Sequence, residues 1–187
     1  MQQVVFKSEL RDFDLARSIC RHQGALCATA ERQVDVCFRM PTGRLIRRRV
    51  PRAAIAVEPS SCETTEVASD DAAAVWIRYH RANRSQPTLC SFSILSQSQA
   101  ASRWGTMSLQ PWAYVTKDRE VWSVDHARIH LDRVENIGCF IEIAAELCEK
   151  YDQQECEMIV DYLRNQLRPV LGEPISQSYS ELAVPVA

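Results

Sequence analysis

Arg128-Ile129-His130-Leu131-Asp132, followed closely by Gly138-Cys139-Phe140-Ile141-Glu142, is the stretch whose reading decides the fold. Both segments alternate, and the connection Glu135-Asn136-Ile137-Gly138 is tight. Successive side chains of a strand point to opposite faces, so Arg128, His130 and Asp132 share one face while Ile129 and Leu131 share the other. A cation, an imidazole and a carboxylate therefore stand back to back with an apolar surface. An open sheet would hide the apolar face and wet the polar one. A closed barrel can instead line its interior with polar groups and hold a charged ligand there.

Working outward, the chain supplies enough strands for a barrel. Residues 3–10 alternate as a strand, and Asp12 or Asp14 can cap a helix to about residue 22, with Gly24 placed to stop it. Residues 33–40, Pro41-Thr42-Gly43 and residues 44–50 read as strand, turn and strand. Residues 74–81 and 88–95 form two more around a polar turn, and 97–104 form a helix ended by Gly105. Residues 111–124 give one long strand or two bent ones, ahead of the opening hairpin at 128–134 and 139–145. Residues 146–167 read as the longest helix, with Cys156, Ile159, Val160, Leu163 and Leu167 on its apolar side, ended by Pro169 and Gly172. Residues 51–73, with Pro51, Pro59, a Ser/Thr/Glu cluster and Asp70-Asp71, read as a surface insertion. About eight strands and two or three helices predict an α+β protein: an antiparallel barrel with helices packed outside.

A length of 187 residues predicts a single domain over 1–187, and 46% apolar content supports a real core. The net charge of −2 argues against nucleic acid or an anionic membrane as partner. No run approaches the ~18 apolar residues that span a bilayer. The N-terminus lacks the basic and long apolar regions of a signal peptide, so a cytoplasmic location is expected. None of the eight cysteines forms a C-x-x-C pair or a zinc-ligand cluster, and most sit among apolar neighbours. They read as small buried hydrophobes in a reducing compartment.

The 128–142 segment resembles the CYTH family, the triphosphate tunnel proteins, which include class IV adenylate cyclases, thiamine triphosphatases and inorganic triphosphatases. The family pattern is close to R-I-H-L-D-x-V-x-G-L-G-x-F-x-E-x-E. Other pieces follow in family order: Val4-Val5-Phe6-Lys7, Gln33-Val34-Asp35-Val36-Cys37-Phe38, Gly43-Arg44-Leu45, Ile77-Arg78-Tyr79-His80-Arg81, Lys117-Asp118-Arg119-Glu120-Val121-Trp122 and Ser178-Tyr179-Ser180-Glu181-Leu182. Together they run from Val4 to Leu182. The resemblance implies a closed antiparallel eight-stranded β-barrel whose interior holds triphosphate.

It also implies the ligand contacts. Lys7, Arg48, Arg81, Lys117, Arg119 and Arg128 match positions whose side chains point into the tunnel. Arginine forks bind phosphate oxygens bidentately, and lysine acts as a point charge. Ile46 stands where the family pattern has Lys, and Arg47 is expected to face outward. The family's catalysis uses Mg²⁺ or Mn²⁺ held by carboxylates, and the matching residues here are Asp132 and Glu142, as metal ligands and as the catalytic pair. Hard divalent cations take oxygen ligands and orient the phosphoryl group and attacking water. The motif is broken, however. E-x-E-x-K reads Gln3-Val4-Val5-Phe6-Lys7, and the final E-x-E reads Glu142-Ile143-Ala144. The metal half is thus expected to be weakened while the phosphate half is kept. Glu9 shares the parity of Lys7, and Glu135 is expected to face water. His130 shares the face of Arg128 and Asp132, where nearby cations would depress its pKa, so positioning fits it better than general-base work. His80 falls on the outside.

Four functions remain open at this point. One is a metal-dependent phosphohydrolase of inorganic or organic triphosphate. A second is a non-catalytic polyphosphate- or nucleotide-binding protein. A third, weakened by the missing Glu residues, is a class IV adenylate cyclase, and the fourth is a scaffold with an unused interior. The expected partner is a triphosphate-containing small molecule, with no nucleic acid and no membrane, bound by a monomer or homodimer.

Overall fold

β1 (Gln2–Leu10) is the strand that closes the sheet. It pairs antiparallel with β8 (Gly138–Glu146) along one edge and with β5 (Thr88–Leu95) along the other. Between them run β4 (Val75–Arg81), β3 (Arg44–Arg49), β2 (Leu26–Arg39), β6 (Pro111–Val124) and β7 (Ala127–Val134). The order β5-β4-β3-β2-β6-β7-β8-β1 with the β5–β1 pairing makes a closed eight-stranded antiparallel barrel. A short β9 (Leu171–Pro174) adds to the outer part of β1. The helices are α1 (Phe13–His22), α2 (Gln97–Trp104), α3 (Gln153–Gln166) and α4 (Tyr179–Ala183). This computed structural model describes residues 1–50 and 74–183, so the insertion expected at 51–73 lies outside the described residues.

The largest apolar core lies outside the barrel. Val4 and Phe6 of β1, Ile129 and Leu131 of β7, and Ile141 and Ile143 of β8 all point outward and are buried under α1 and α3. Cys20 of α1 and Cys156, Val160 and Leu163 of α3 meet them. Full burial of each large side chain is worth about 1.5–3 kcal/mol. A second cluster covers the far wall: Leu45, Trp76 and Leu95 pack outward against Ala100 of α2. With apolar faces turned out to the helices, strand alternation turns the polar faces in. A third cluster, including Val115, Phe140, Tyr179 and Leu182, fills one end of the lumen under α4.

Local signals explain most element ends. Asp12 caps α1 by accepting from the Leu15 N–H, and Gly105 takes the left-handed C-cap of α2. Two expectations are corrected, and two elements are additional. β2 begins at Leu26, because β6 is long enough to pair with it down to Ser123. The long helix does not start at 146. Glu146 pairs with Gln3, Leu147 bonds to Gln2, and the helix begins only where Asp152 and Glu155 form a capping box. Helix α4, over most of the closing S-Y-S-E-L segment, is additional to the two or three helices expected. The β9 strand was not anticipated: it passes β1 so closely that a Cβ at Gly172 would sit 2.8 Å from the Glu9 Cβ. Of the seven described cysteines, all free, Cys20, Cys37, Cys90 and Cys156 are buried as expected, whereas Cys27 and Cys148 are exposed.

Because Leu163 is 1% exposed in the seam between α3 and the barrel, Leu163→Ala is expected to lower stability by ~2–5 kcal/mol. Urea unfolding checks this, and a loss below ~1 kcal/mol would mean that α3 does not hold the outer core.

Candidate functional site

The barrel encloses a cavity of about 530 Å³. Lys7, Arg44, Arg48, Lys117, Arg119 and Arg128 line it, against two carboxylates, Asp35 and Glu142. Strand register brings these charges together: Lys7 lies opposite Glu142, Asp35 opposite Arg48, and Arg119 opposite Asp132.

Three ion clusters organise the lumen. Asp35 accepts from Lys117 Nζ at 2.6 Å and from Arg48 Nε and Nη2 at 2.7 and 2.8 Å. Asp132 accepts from Arg119 Nε and Nη2 at 2.6 and 2.5 Å and from the Tyr179 hydroxyl at 2.7 Å. Glu142 lies 3.1 Å from His130 Nδ1, 3.6 Å from Lys7 Nζ and 3.9 Å from an Arg119 nitrogen. Lys7 also sits over the Tyr179 ring, 4.2 Å from its centroid.

These contacts set the protonation states. Burial pushes the carboxyl pKa values of Asp35, Asp132 and Glu142 up, but cationic partners and hydrogen bonds outweigh it and hold all three below the usual range. Burial lowers Lys117 to about 8, with the Arg48 charge adding to it and Asp35 only partly opposing. Lys7 is lowered in the same way, by burial first, against the pull of Glu142. His130 is depressed as expected, but burial is the larger cause and Arg119 the second.

Lys7, Arg48, Lys117, Arg119, Arg128 and Glu142 thus line the cavity that the sequence assigned them to. Arg128 is exposed at its mouth. Asp132 is fully buried behind Arg119 and Tyr179. Arg81 needs correction. It is buried, but its guanidinium turns to the carbonyls of Arg84 and Ser176 and borders a second cavity of about 480 Å³ with Arg44 and His80. The β4–β5 turn supplies the Arg84 carbonyl, and the segment after β9 supplies that of Ser176. Glu9 is exposed beside β9, and Glu135 is half-exposed and pairs with Arg32. Sequence reasoning missed Asp35, Gln33 and Tyr179 as site residues. Parity could have found the first two, since Gln33, Asp35 and Cys37 alternate with Val34, Val36 and Phe38. Tyr179 carries no such signal, because α4 reaches the lumen from the end of the chain.

Among the described residues the donor set does not fit a resident Mg²⁺ or Mn²⁺. Both oxygens of Asp132 are taken by Arg119 and Tyr179, and Glu142 faces His130 and two cations. Among the described residues no group of three or more His, Cys, Asp or Glu side chains is placed to hold a metal ion. A hard divalent ion needs several free oxygens at close to octahedral positions.

A family model for the CYTH domain matches residues 58–176, more than half of the chain. The chain belongs to the CYTH family. Its first three strands precede the matched residues, yet they complete the CYTH barrel and supply Lys7, Asp35 and Arg48. Solved structures agree in fold. A Pyrococcus horikoshii protein superposes with a TM-score of 0.70 at 16% identity, covering 97% of this chain and 99% of that one. A candidate adenylate cyclase from Vibrio parahaemolyticus gives 0.63 at 15%, covering 96% of each chain. A candidate adenylyl cyclase from Hippeastrum, described as having a dominant triphosphatase activity, gives 0.52 at 10%, covering 94% of this chain and 92% of that one. No curated protein sequence matches the chain significantly. Among the described residues of this CYTH protein no helix is long and apolar enough to cross a membrane.

Removing Asp35 leaves Lys117 and Arg48 facing each other without their shared counter-ion. Asp35→Asn is expected to lower stability by ~3–5 kcal/mol, the range for a broken buried ion pair. Adding inorganic triphosphate should return part of that loss in a thermal melt. A melting curve unchanged by the substitution would show that Asp35 does not neutralise the pair.

Proposed function

We propose that this CYTH protein binds a triphosphate-containing small molecule inside its barrel and does not turn it over efficiently. One observation carries the reading: among the described residues, six basic side chains face two carboxylates on the wall of a single cavity. An enclosed cationic surface of this kind is complementary to a chain of phosphoryl groups, which offers many acceptor oxygens in a row. Entering phosphates would compete with Asp35 for Lys117 and Arg48, and with Glu142 for Lys7. Arg119 would stay anchored by Asp132 and present its outer edge, while Arg128 would meet the ligand at the mouth. Arg81 would contribute through its charge near Lys7 rather than by direct contact.

The same clusters favour binding over hydrolysis. Phosphoryl transfer depends on positioned metal ions and on a water-orienting group. Asp132 and Glu142, the pair the family resemblance assigns to metal and catalysis, serve in this reading as counter-ions for Arg119 and Lys7. The test incubates the protein with inorganic triphosphate, ATP or thiamine triphosphate, with and without Mg²⁺ or Mn²⁺, following phosphate release and thermal shift. A clear shift without release is expected, reduced by Arg128→Gln, which removes an exposed cation. Metal-dependent release would select the phosphohydrolase instead, and neither shift nor release would leave a scaffold.

Binding should also weaken at alkaline pH. Lys117 loses its proton as pH rises through about 8, so triphosphate affinity should fall between pH 7 and 9. The effect on stability has the opposite sign. Unfolded lysine keeps its proton up to its ordinary value of 10.5. Between about 8 and 10.5 the unfolded chain therefore binds more protons, and the Lys117 contribution to stability rises with pH. Titration calorimetry across this range should show the fall in the native protein and a flat, weaker profile in Lys117→Met. A profile that falls equally in both would assign the pH dependence to another group.

A further inference from the structure

The lumen has a second wall of a different character. Ile46 of β3 lies opposite Ile77 of β4, and Ile77 lies opposite Ile94 of β5, so three isoleucines form a rank across adjacent strands. In the next row Tyr79 lies opposite Phe92. Ile46, Ile77, Phe92 and Ile94 all line the same cavity as the basic side chains. Here the polar-in rule followed by β1, β2, β6, β7 and β8 is broken. Among the described residues, Ile77, Phe92 and Ile94 belong to none of the packed apolar clusters, and Ile94 is 56% exposed.

Apolar side chains inside a cavity and without packing partners gain free energy when a ligand covers them. The cavity, at about 530 Å³, falls within the ~300–1,000 Å³ of ordinary small-molecule sites. A bare inorganic polyphosphate would satisfy the cations and leave this wall wet. A ring with a hydrogen-bonding edge would satisfy the wall poorly. The rank of three isoleucines offers no donor or acceptor, and a buried polar edge without a partner is disfavoured. We propose that the ligand is amphiphilic: a phosphoric anhydride ester of a branched hydrocarbon, such as an alkyl or prenyl triphosphate. Its phosphates would lie on Lys7, Lys117 and Arg119 and its chain on Ile46, Ile77, Phe92 and Ile94. This rests on the phosphate-binding reading above and names the class of organic group that accompanies the phosphates.

The experiment compares three probes that share a shorter, diphosphate head group, methyl diphosphate, geranyl diphosphate and ADP, by titration calorimetry, with inorganic triphosphate as reference. Geranyl diphosphate is expected to bind at least tenfold tighter than methyl diphosphate and tighter than ADP. Ile77→Thr/Ile94→Ser should abolish that preference while leaving methyl diphosphate and triphosphate affinity unchanged, which also reports that the variant folds. Equal affinity for the geranyl and methyl compounds in the native protein would overturn the inference even if the variant proved unstable, and so would tighter binding of ADP than of geranyl diphosphate. A geranyl preference that survives in a folded variant would overturn the assignment to this wall. Failure of every compound, triphosphate included, would overturn the phosphate-binding reading itself.

Discussion

Burial of Val4, Phe6, Ile129, Leu131, Ile141 and Ile143 beneath α1 and α3 is the interaction on which the chemistry of the lumen depends. A small barrel ordinarily fills its interior with apolar side chains and draws its stability from them. Here the same strands place their apolar residues on the outer surface, where two helices supply the complementary face. That leaves the interior free of the duty of holding the fold together. Lys7, Asp35, Lys117, Arg119 and Asp132 can then occupy positions that a packed core would deny them.

Charges in such an interior must still be reconciled with a poor solvent. A lone buried lysine or carboxylate would be strongly disfavoured, so each appears with partners. Asp35 bridges Lys117 and Arg48, Asp132 is clasped by Arg119 and Tyr179, and Glu142 collects His130 and Lys7. The compensation is incomplete, since basic side chains outnumber acidic ones on the cavity wall. The remaining excess positive charge among the described residues gives the lumen a surface complementary to anions. In the binding reading proposed above, Asp132 and Glu142 serve as internal counter-ions rather than as metal ligands. Loss of the first-strand Glu pair, replaced by Gln3 and Val5, and of the last Glu, replaced by Ala144, agrees with that change.

Much of this was legible in the sequence, for local reasons. Alternation at Arg128-Ile129-His130-Leu131-Asp132 and at Lys117-Asp118-Arg119 assigns each side chain to a face, because a strand has a period of two. Helix caps at Asp12 and Gly105 were legible because capping depends on one or two residues. Arg81 was legible as a lumen-side residue but not in its contacts, since the carbonyls of Arg84 and Ser176 come from a turn and from a segment far along the chain. The start of α3 was misplaced because residues 146–151 are apolar and charged enough to continue a helical pattern. Pairing of Glu146 with Gln3, a contact between segments far apart in sequence, overrode it.

The sequence by itself determined which residues share a face in the eight predicted strands, and which family motifs are intact or broken. Those properties follow from periodicity and residue type. Only the tertiary structure decided which face became the interior, that Asp35 bridges Lys117 and Arg48, that Tyr179 closes over Asp132, and that three isoleucines share a level of the lumen. Each of these depends on how one strand's register meets another's or on where α4 docks, and the pattern of a single strand fixes neither.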